Sequence, residues 1–272
     1  MTSLVAPAQV PVEFDIPRSR AAKAVRDAIT ITWRNLIGYI RIPEALFFAS
    51  VQPVMFVLLF RYVFGGAIRI PGFDYVDFLL PGIFVQSVAF GAIGTGIGLA
   101  DDMSKGLVER FNSLPMARSA VLAGRTTADM CRNVIVVLLM VAVGYAVGFR
   151  IHTNPLGLLA ALGVVLLFAY ALAWGFAIIG LRAPNSETAQ LMAFPILFPL
   201  TFASSAFVPV PTMPGWLQAI ARNQPITHTV DAARALILGG PTTVPVLKAL
   251  AWSVALLLVL APLAVRRYRR AL

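Results

Sequence analysis

Arg125, Asp129 and Arg132 stand at i, i+4 and i+7, a spacing that sets charges along one side of a helix. Such a trio can form ion pairs. It offers no nucleophile, so its chemistry is cohesion rather than catalysis. A second charged pair, Glu109 and Arg110, lies just upstream in the run ADDMSKGLVERFNSLPMARSAVLAGR, which opens at Ala100. Other reactive groups are sparse. The only histidines, His152 and His228, are far apart in sequence and lie outside any HExxH-like setting; both read as surface or packing residues. Cys131 is the sole cysteine, which excludes an intramolecular disulfide and a thiolate metal cluster. No Gly-Lys dipeptide occurs, so the phosphate-cradling loop of P-loop ATPases is absent.

The solvent for these residues is set by composition. Of 272 residues, 59% are apolar and only 12% charged, and the mean hydropathy is +0.83. Soluble domains carry about a quarter charged residues, so the deficit points to lipid. The net charge of +10 is concentrated between and beyond the apolar runs, which argues against a nucleic-acid-binding surface. The first twenty residues contain Glu13, Asp15 and three prolines and have no basic-then-apolar leader pattern; they are expected to form a disordered tail on the side of synthesis.

A helix needs about 20 apolar residues to cross a bilayer core. Six runs qualify as candidates: 44–64, 78–99, 133–149, 156–180, 189–207 and 244–264. The third is short, and its helix is expected to extend back to about residue 118. The fifth contains Pro195 and Pro199 and is expected to be kinked or partly unwound. Sixteen of the lysines and arginines fall on the side that holds both termini, and six on the other. The excess places both termini in the cytoplasm. The expected fold is an all-α integral membrane protein with six transmembrane helices. Its parts are a cytoplasmic tail (1–17), an amphipathic helix (18–42), the membrane domain (44–264) and a basic cytoplasmic tail (265–272).

In the second part, Val25, Ile29, Trp33, Leu36 and Ile40 recur at helical spacing, with most cations elsewhere around the helix. This predicts a helix lying in the cytoplasmic interface; the alternative is an inward extension of the first span. Between 208 and 243, prolines and glycines bracket two short segments, about 214–222 and 225–238. Both are too short to cross, so they form either a re-entrant hairpin or helices resting on the outer surface, with Trp216 at headgroup level. Gly91, Gly94, Gly96 and Gly98 in the second span, and Gly144 and Gly148 in the third, read as close-packing positions within the subunit. The six runs are nearly free of ionisable groups, which argues against an ion-coupled carrier.

Asp101 and Asp102 are expected to cap a short amphipathic helix at about 101–114. Met103, Leu107, Phe111 and Leu114 form its apolar face, and Pro115 ends it. Its two readings are a solvated topological loop or a docking element joined to two spans.

The run GLVERFNSLPMARSAVLAGR resembles the cytoplasmic motif of type-2 ABC export permeases. Gly106, Glu109, Arg110, Pro115, Arg118 and Gly124 match that pattern in order. The run FPLTFASSAFVPVPTMPGWLQAIARNQPITHTVDAARAL resembles the same family's Pro-rich fifth span and outer element. Pro199, Pro209, Pro214, Trp216, Asn223, Pro225, Thr227 and Arg234 carry that match. The order of elements agrees from about residue 18 onward, and the nearest subgroup is that of daunorubicin/doxorubicin-resistance permeases of actinobacteria.

The resemblance implies a permease subunit of an ATP-driven exporter in the bacterial plasma membrane. Two such subunits, identical or related, would join two separate ATPase subunits. ATP and Mg would bind to those partners, and this chain would bind no cofactor or metal of its own. The segment near 101–114 would be the coupling helix, with Gly106, Leu107, Glu109, Arg110, Phe111 and Pro115 meeting the ATPase. The 18–42 helix would be the connecting helix. An outer hairpin at 214–238 would carry Pro214, Trp216, Asn223, Pro225, Thr227 and Arg234. For the path, Gln86, Ser87 and Thr95 are polar at depth in the second span, as are Thr201, Ser204 and Ser205 in the fifth. Phe84, Phe90, Phe194, Phe198 and Phe202 offer aromatic surface. The cargo would be a hydrophobic or amphipathic drug, lipid or metabolite. The rival readings are a polysaccharide or glycolipid exporter of the same architecture and an ion-coupled secondary transporter.

Overall fold

The computed structural model describes residues 20–41, 43–66, 72–106 and 118–270. Among them, nine α-helices account for nearly all regular structure: α1 Arg20–Arg41, α2 Pro43–Leu59, α3 Tyr75–Ser104, α4 Arg118–Ala146, α5 Pro155–Gly180, α6 Ser186–Phe202, α7 Gly215–Asn223, α8 Pro225–Leu238 and α9 Thr243–Arg270. A π-helical turn, Phe60–Phe64, continues α2. Four segments are long and apolar enough to span a bilayer: Tyr75–Ser104, Ala120–Ala146, Pro155–Gly180 and Thr243–Arg270. The α2 and α6 helices, at 17 residues each, are shorter.

The centre of the molecule is α3. It packs against α4, α5, α6 and α8, and its side chains from Tyr75 to Val85 are buried apart from half-buried Phe78. Apolar residues on all sides suit a helix surrounded by others. The α3–α5 crossing is close because glycines meet backbone there. A Cβ on Gly96 would lie 2.5 Å from the Phe176 carbonyl oxygen, and one on Gly180 would lie 2.2 Å from the Gly96 oxygen. On its far side α5 carries α9, and α8 sits among α3, α5 and α9.

Several sequence expectations change here. Despite Pro195 and Pro199, α6 remains helical as far as Phe202. The Thr201 hydroxyl donates to the Leu197 carbonyl at 2.9 Å and Ala203 N donates to Pro199 O at 2.8 Å, which keeps the last turn bonded. Asp101 and Asp102 do not open a new helix; they occupy the last turn of α3. That helix ends at Gly106, whose φ of +67° is the left-handed conformation glycine adopts most easily. Gly106 N donates to Met103 O at 3.0 Å and Lys105 N to Asp101 O at 3.1 Å. The rest of the expected coupling helix, including Leu107, Glu109, Arg110, Phe111 and Pro115, lies outside the described residues.

The two short segments expected at about 214–222 and 225–238 correspond to α7 and α8 within a residue or two. They differ in burial. Exposed Trp216 and Ile220 mark α7, whereas α8 buries Ile226, Val230, Ala233 and Ile237 against the main core. A pair of helices resting on the surface is therefore excluded for α8.

Candidate functional site

Two places in the bundle gather the polar groups. The first is the end of α3 that leads into residues 107–117. Its hub is Asp129 of α4, whose side chain is 1% exposed. Thr95 of α3 donates to Asp129 Oδ2 at 2.6 Å, and the Tyr39 hydroxyl of α1 donates to Oδ1. Arg125 Nε and Arg132 Nη2 lie 3.8 Å and 3.9 Å from the carboxylate. Asp102 extends the network, at 3.1 Å from Arg125 and 3.6 Å from Arg34 of α1. Arg132 also donates to the Gly91 carbonyl and stands 5.7 Å over the Tyr39 ring, within cation–π range. Burial and the neighbouring Asp129 carboxylate push the Tyr39 phenol well above its ordinary range, so the hydroxyl stays a donor.

This cluster assigns the glycines of α3 a different role from the expected one. Gly91, Gly94 and Gly98 do not let two backbones meet; Gly94 and Gly98 make room for guanidinium groups, and Gly91 for the Asn133 amide. A Cβ on Gly94 would lie 2.8 Å from Arg132 Nη1, and one on Gly98 would lie 1.4 Å from Arg125 Nη2. Gly124 explains another motif position. Thr32 donates to its carbonyl at 3.1 Å, and a Cβ there would lie 2.6 Å from the Ile31 Cβ. Thus α1 packs on α4 through Ala28, Ile31 and Thr32, and leaves Val25, Ile29 and Trp33 as an exposed apolar stripe. The cluster ties α1, α3 and α4 into one body at the base of residues 107–117.

The second place is a cavity of about 230 Å³ between α2, α3, α4 and α6. Of the expected path residues, Gln86 and Ser87 line it, together with Gln52, Arg132, Asn133 and Gln190. Phe90 and Phe194 line it too, and begin an aromatic ladder. Ring centroids are 5.7 Å apart for Phe90–Phe194, 5.5 Å for Phe194–Phe198, 4.3 Å for Phe198–Phe202 and 5.0 Å for Phe202–Phe207. The ladder crosses to the π-helical turn after α2 at Phe60, 4.7 Å from Phe207. Phe84 is apart from it, buried against Phe149.

The other polar path candidates lie elsewhere. Thr95 is engaged by Asp129. Thr201 bonds within α6, and the Ser204 hydroxyl donates to the Thr201 carbonyl at 2.5 Å. Ser205 donates to Asp231 at 2.8 Å through its hydroxyl and to Thr227 Oγ1 at 3.3 Å through its N–H. These contacts seat the turn after α6 on α8. Arg234 completes the seat: its Nε donates to Phe78 O at 2.9 Å and its Nη2 to Ala206 O at 3.0 Å, with the guanidinium 3.5 Å over the Phe78 ring. Pro214 and Pro225 start α7 and α8, and Asn223 closes α7 by donating to Ala219 O at 2.8 Å. Trp216 is exposed.

Sequence reasoning missed Asp77. It is buried in the first turn of α3, 2.7 Å from His152 Nε2, and accepts the Arg150 N–H at 2.9 Å. Asp77 and His152 are 75 positions apart and no local pattern joins them.

Residues 26–238 match the family described as ABC-2 type transporter. The chain belongs to the ABC-2 type transporter family. It is 36% identical over 252 residues to the daunorubicin resistance ABC transporter permease protein DrrB1 of Streptomyces coeruleorubidus, covering 93% of this chain and 89% of that one. It is 26% identical to the probable doxorubicin resistance ABC transporter permease protein DrrC of Mycobacterium tuberculosis, over 98% and 95% of the two chains. A putative transport permease, ycf38 of Porphyra purpurea, is 24% identical over 82% and 78%. The chain is thus a multi-pass membrane protein of the ABC-2 family and a permease subunit of an ABC exporter.

Proposed function

We propose that this permease moves a hydrophobic or amphipathic molecule out across the bacterial plasma membrane, driven by two separate ATPase subunits that dock on residues 106–115. In this reading the four long helices, α2 with its π-helical turn, and α6 make six crossings, with both termini cytoplasmic. The exposed stripe Val25, Ile29 and Trp33 rests in the cytoplasmic interface beside anionic headgroups. A second permease subunit, identical or related, completes the assembly, and ATP and Mg belong to the ATPase pair.

One observation supports the coupling route above all. The helices on both sides of residues 107–117 are α3 and α4, and the buried Asp129 network joins them to each other and to α1. A push on the intervening segment therefore displaces three helices together. Packed elements of this kind move as bodies rather than deforming continuously. The cavity and the aromatic ladder lie between α2 and α6, both of which pack on α3, so that movement reaches the walls of the path. Asp129 itself is held by two arginines and two hydroxyls, which suits a cohesive role.

Glu109→Ala tests the docking surface. The variant is expected to insert and accumulate normally while losing most ATP-dependent efflux and most co-purification with the ATPase. Full efflux at equal expression would remove Glu109 from the interface.

A further inference from the structure

The cavity contains one feature that packing does not explain. Gln86 is 3% exposed, and neither its Nε2 nor its Oε1 has a hydrogen-bond partner. Buried polar groups in folded proteins nearly always have one. In a bundle facing lipid the omission is costlier, because an apolar residue of similar size would fit at no such cost. The neighbouring Ser87 hydroxyl is not the partner, since it donates to Ile83 O at 2.7 Å. Gln86 lines a cavity of about 230 Å³ whose other polar lining residues include Gln52, Asn133, Gln190 and Arg132. Among the described residues, no Asp or Glu lines it. Its apolar walls are phenylalanines continuous with the ladder toward Phe207.

We infer that Gln86 recognises the polar head of the cargo, and that this head is a neutral or anionic oxygen group, a hydroxyl or carboxylate, on an aromatic or alkyl body. The proposal rests on the permease reading above and narrows its substrate class. Gln86 presents one free acceptor and one free donor group. A hydroxyl satisfies both, and a carboxylate satisfies the donor while gaining from Arg132. An alkylammonium head fares worse. It can donate to Oε1, but it would be buried beside a guanidinium with no carboxylate on the cavity wall to pair with. Asp129 gives little relief, because it is shared between Arg125 and Arg132. Phenylalanine faces attract cations only weakly compared with that repulsion in a low dielectric.

The test uses the full chain in lipid nanodiscs without any ATPase, and three probes with one body: pyrenebutanol, pyrenebutyrate and pyrenebutylammonium. Saturable tryptophan-to-pyrene energy transfer is measured above the background of empty nanodiscs. The alcohol and carboxylate are expected to bind about tenfold more tightly than the ammonium. Gln86→Leu and Gln86→Met are expected to weaken both by about tenfold and leave the ammonium unchanged. Equal affinity for all three heads would overturn the proposal, as would unchanged binding in both variants. An absence of saturable binding, as from a cavity holding only water or covered by a second copy, would overturn it too. Because no ATPase is present, such a failure leaves the Glu109 result standing, and a failure at Glu109 leaves this measurement standing.

Discussion

Asp129→Ala is expected to destabilise the folded chain by about 3–5 kcal/mol, the range for breaking a buried ion pair by removing one partner. The physical reason lies in what remains. Arg125 and Arg132 have side chains only 16% and 13% exposed and would keep their charges without the carboxylate they share. The Thr95 and Tyr39 hydroxyls would lose their acceptor in the same step. The measurement is thermal unfolding of the purified chain in detergent, with accumulation in the membrane as a second reading. Asp129→Asn preserves an acceptor for Thr95 or Tyr39 and should fall between wild type and Asp129→Ala. Tyr39→Phe removes one hydrogen bond and keeps the ring beneath Arg132, so about 1 kcal/mol is expected. If Asp129→Ala unfolds at the wild-type temperature, the cluster is not what joins α1, α3 and α4.

The second large effect is expected at Arg234. Arg234→Ala withdraws donors from the Phe78 and Ala206 carbonyls, and a buried acceptor left unsatisfied costs about 1–3 kcal/mol. It also removes a cation from the face of the Phe78 ring and leaves Asp231 with Ser205 alone. The loss should be local, because these contacts seat the turn after α6 and the α7–α8 hairpin on α3. Hydrogen exchange should speed up across 203–238 and change little in α9. Arg234→Lys should recover only part of the protection, since an ammonium cannot reproduce the fork that reaches two carbonyls. Uniform exchange in the wild type and both variants would contradict this role.

These two residues also show where sequence reasoning succeeded and where it stopped. The spacing of Arg125, Asp129 and Arg132 was legible as one helix face. Their depth was not, because burial depends on Tyr39, some 90 positions earlier, and Thr95, 34 earlier. The same limit explains Asp101 and Asp102. Acidic residues at the edge of an apolar run fit a helix start as well as a helix end that needs carboxylates for Arg125 and Arg34. Gly106 decides between them, since its left-handed backbone ends the helix.

Polarity at depth was ambiguous in a different way. Gln86, Ser204 and Ser205 give the same signal in sequence, yet Ser204 bonds a backbone carbonyl, Ser205 bonds the Asp231 carboxylate, and the glutamine lines a cavity unpaired. Only neighbours supplied by other helices separate these cases. Glycines posed the same problem: Gly94 and Gly96 are two positions apart, and one faces a guanidinium while the other faces the α5 backbone. By contrast, the bounds of α7 and α8 could be read directly from Pro214, Pro225 and the Gly239–Gly240 pair. Those residues act on the local backbone and need no tertiary partner.

The central claim is that this chain supplies a path and a moving body but not the energy. Reconstitution with and without ATPase tests it most directly. The purified permease is placed in liposomes with and without its ATPase partner, and uptake of a pyrene-labelled amphiphile is followed after ATP addition. Transport is expected only when permease, ATPase and ATP are all present, and it should stop when the ATPase cannot hydrolyse ATP. Concentrative transport by the permease alone, driven by an ion gradient and indifferent to ATP, would contradict the account.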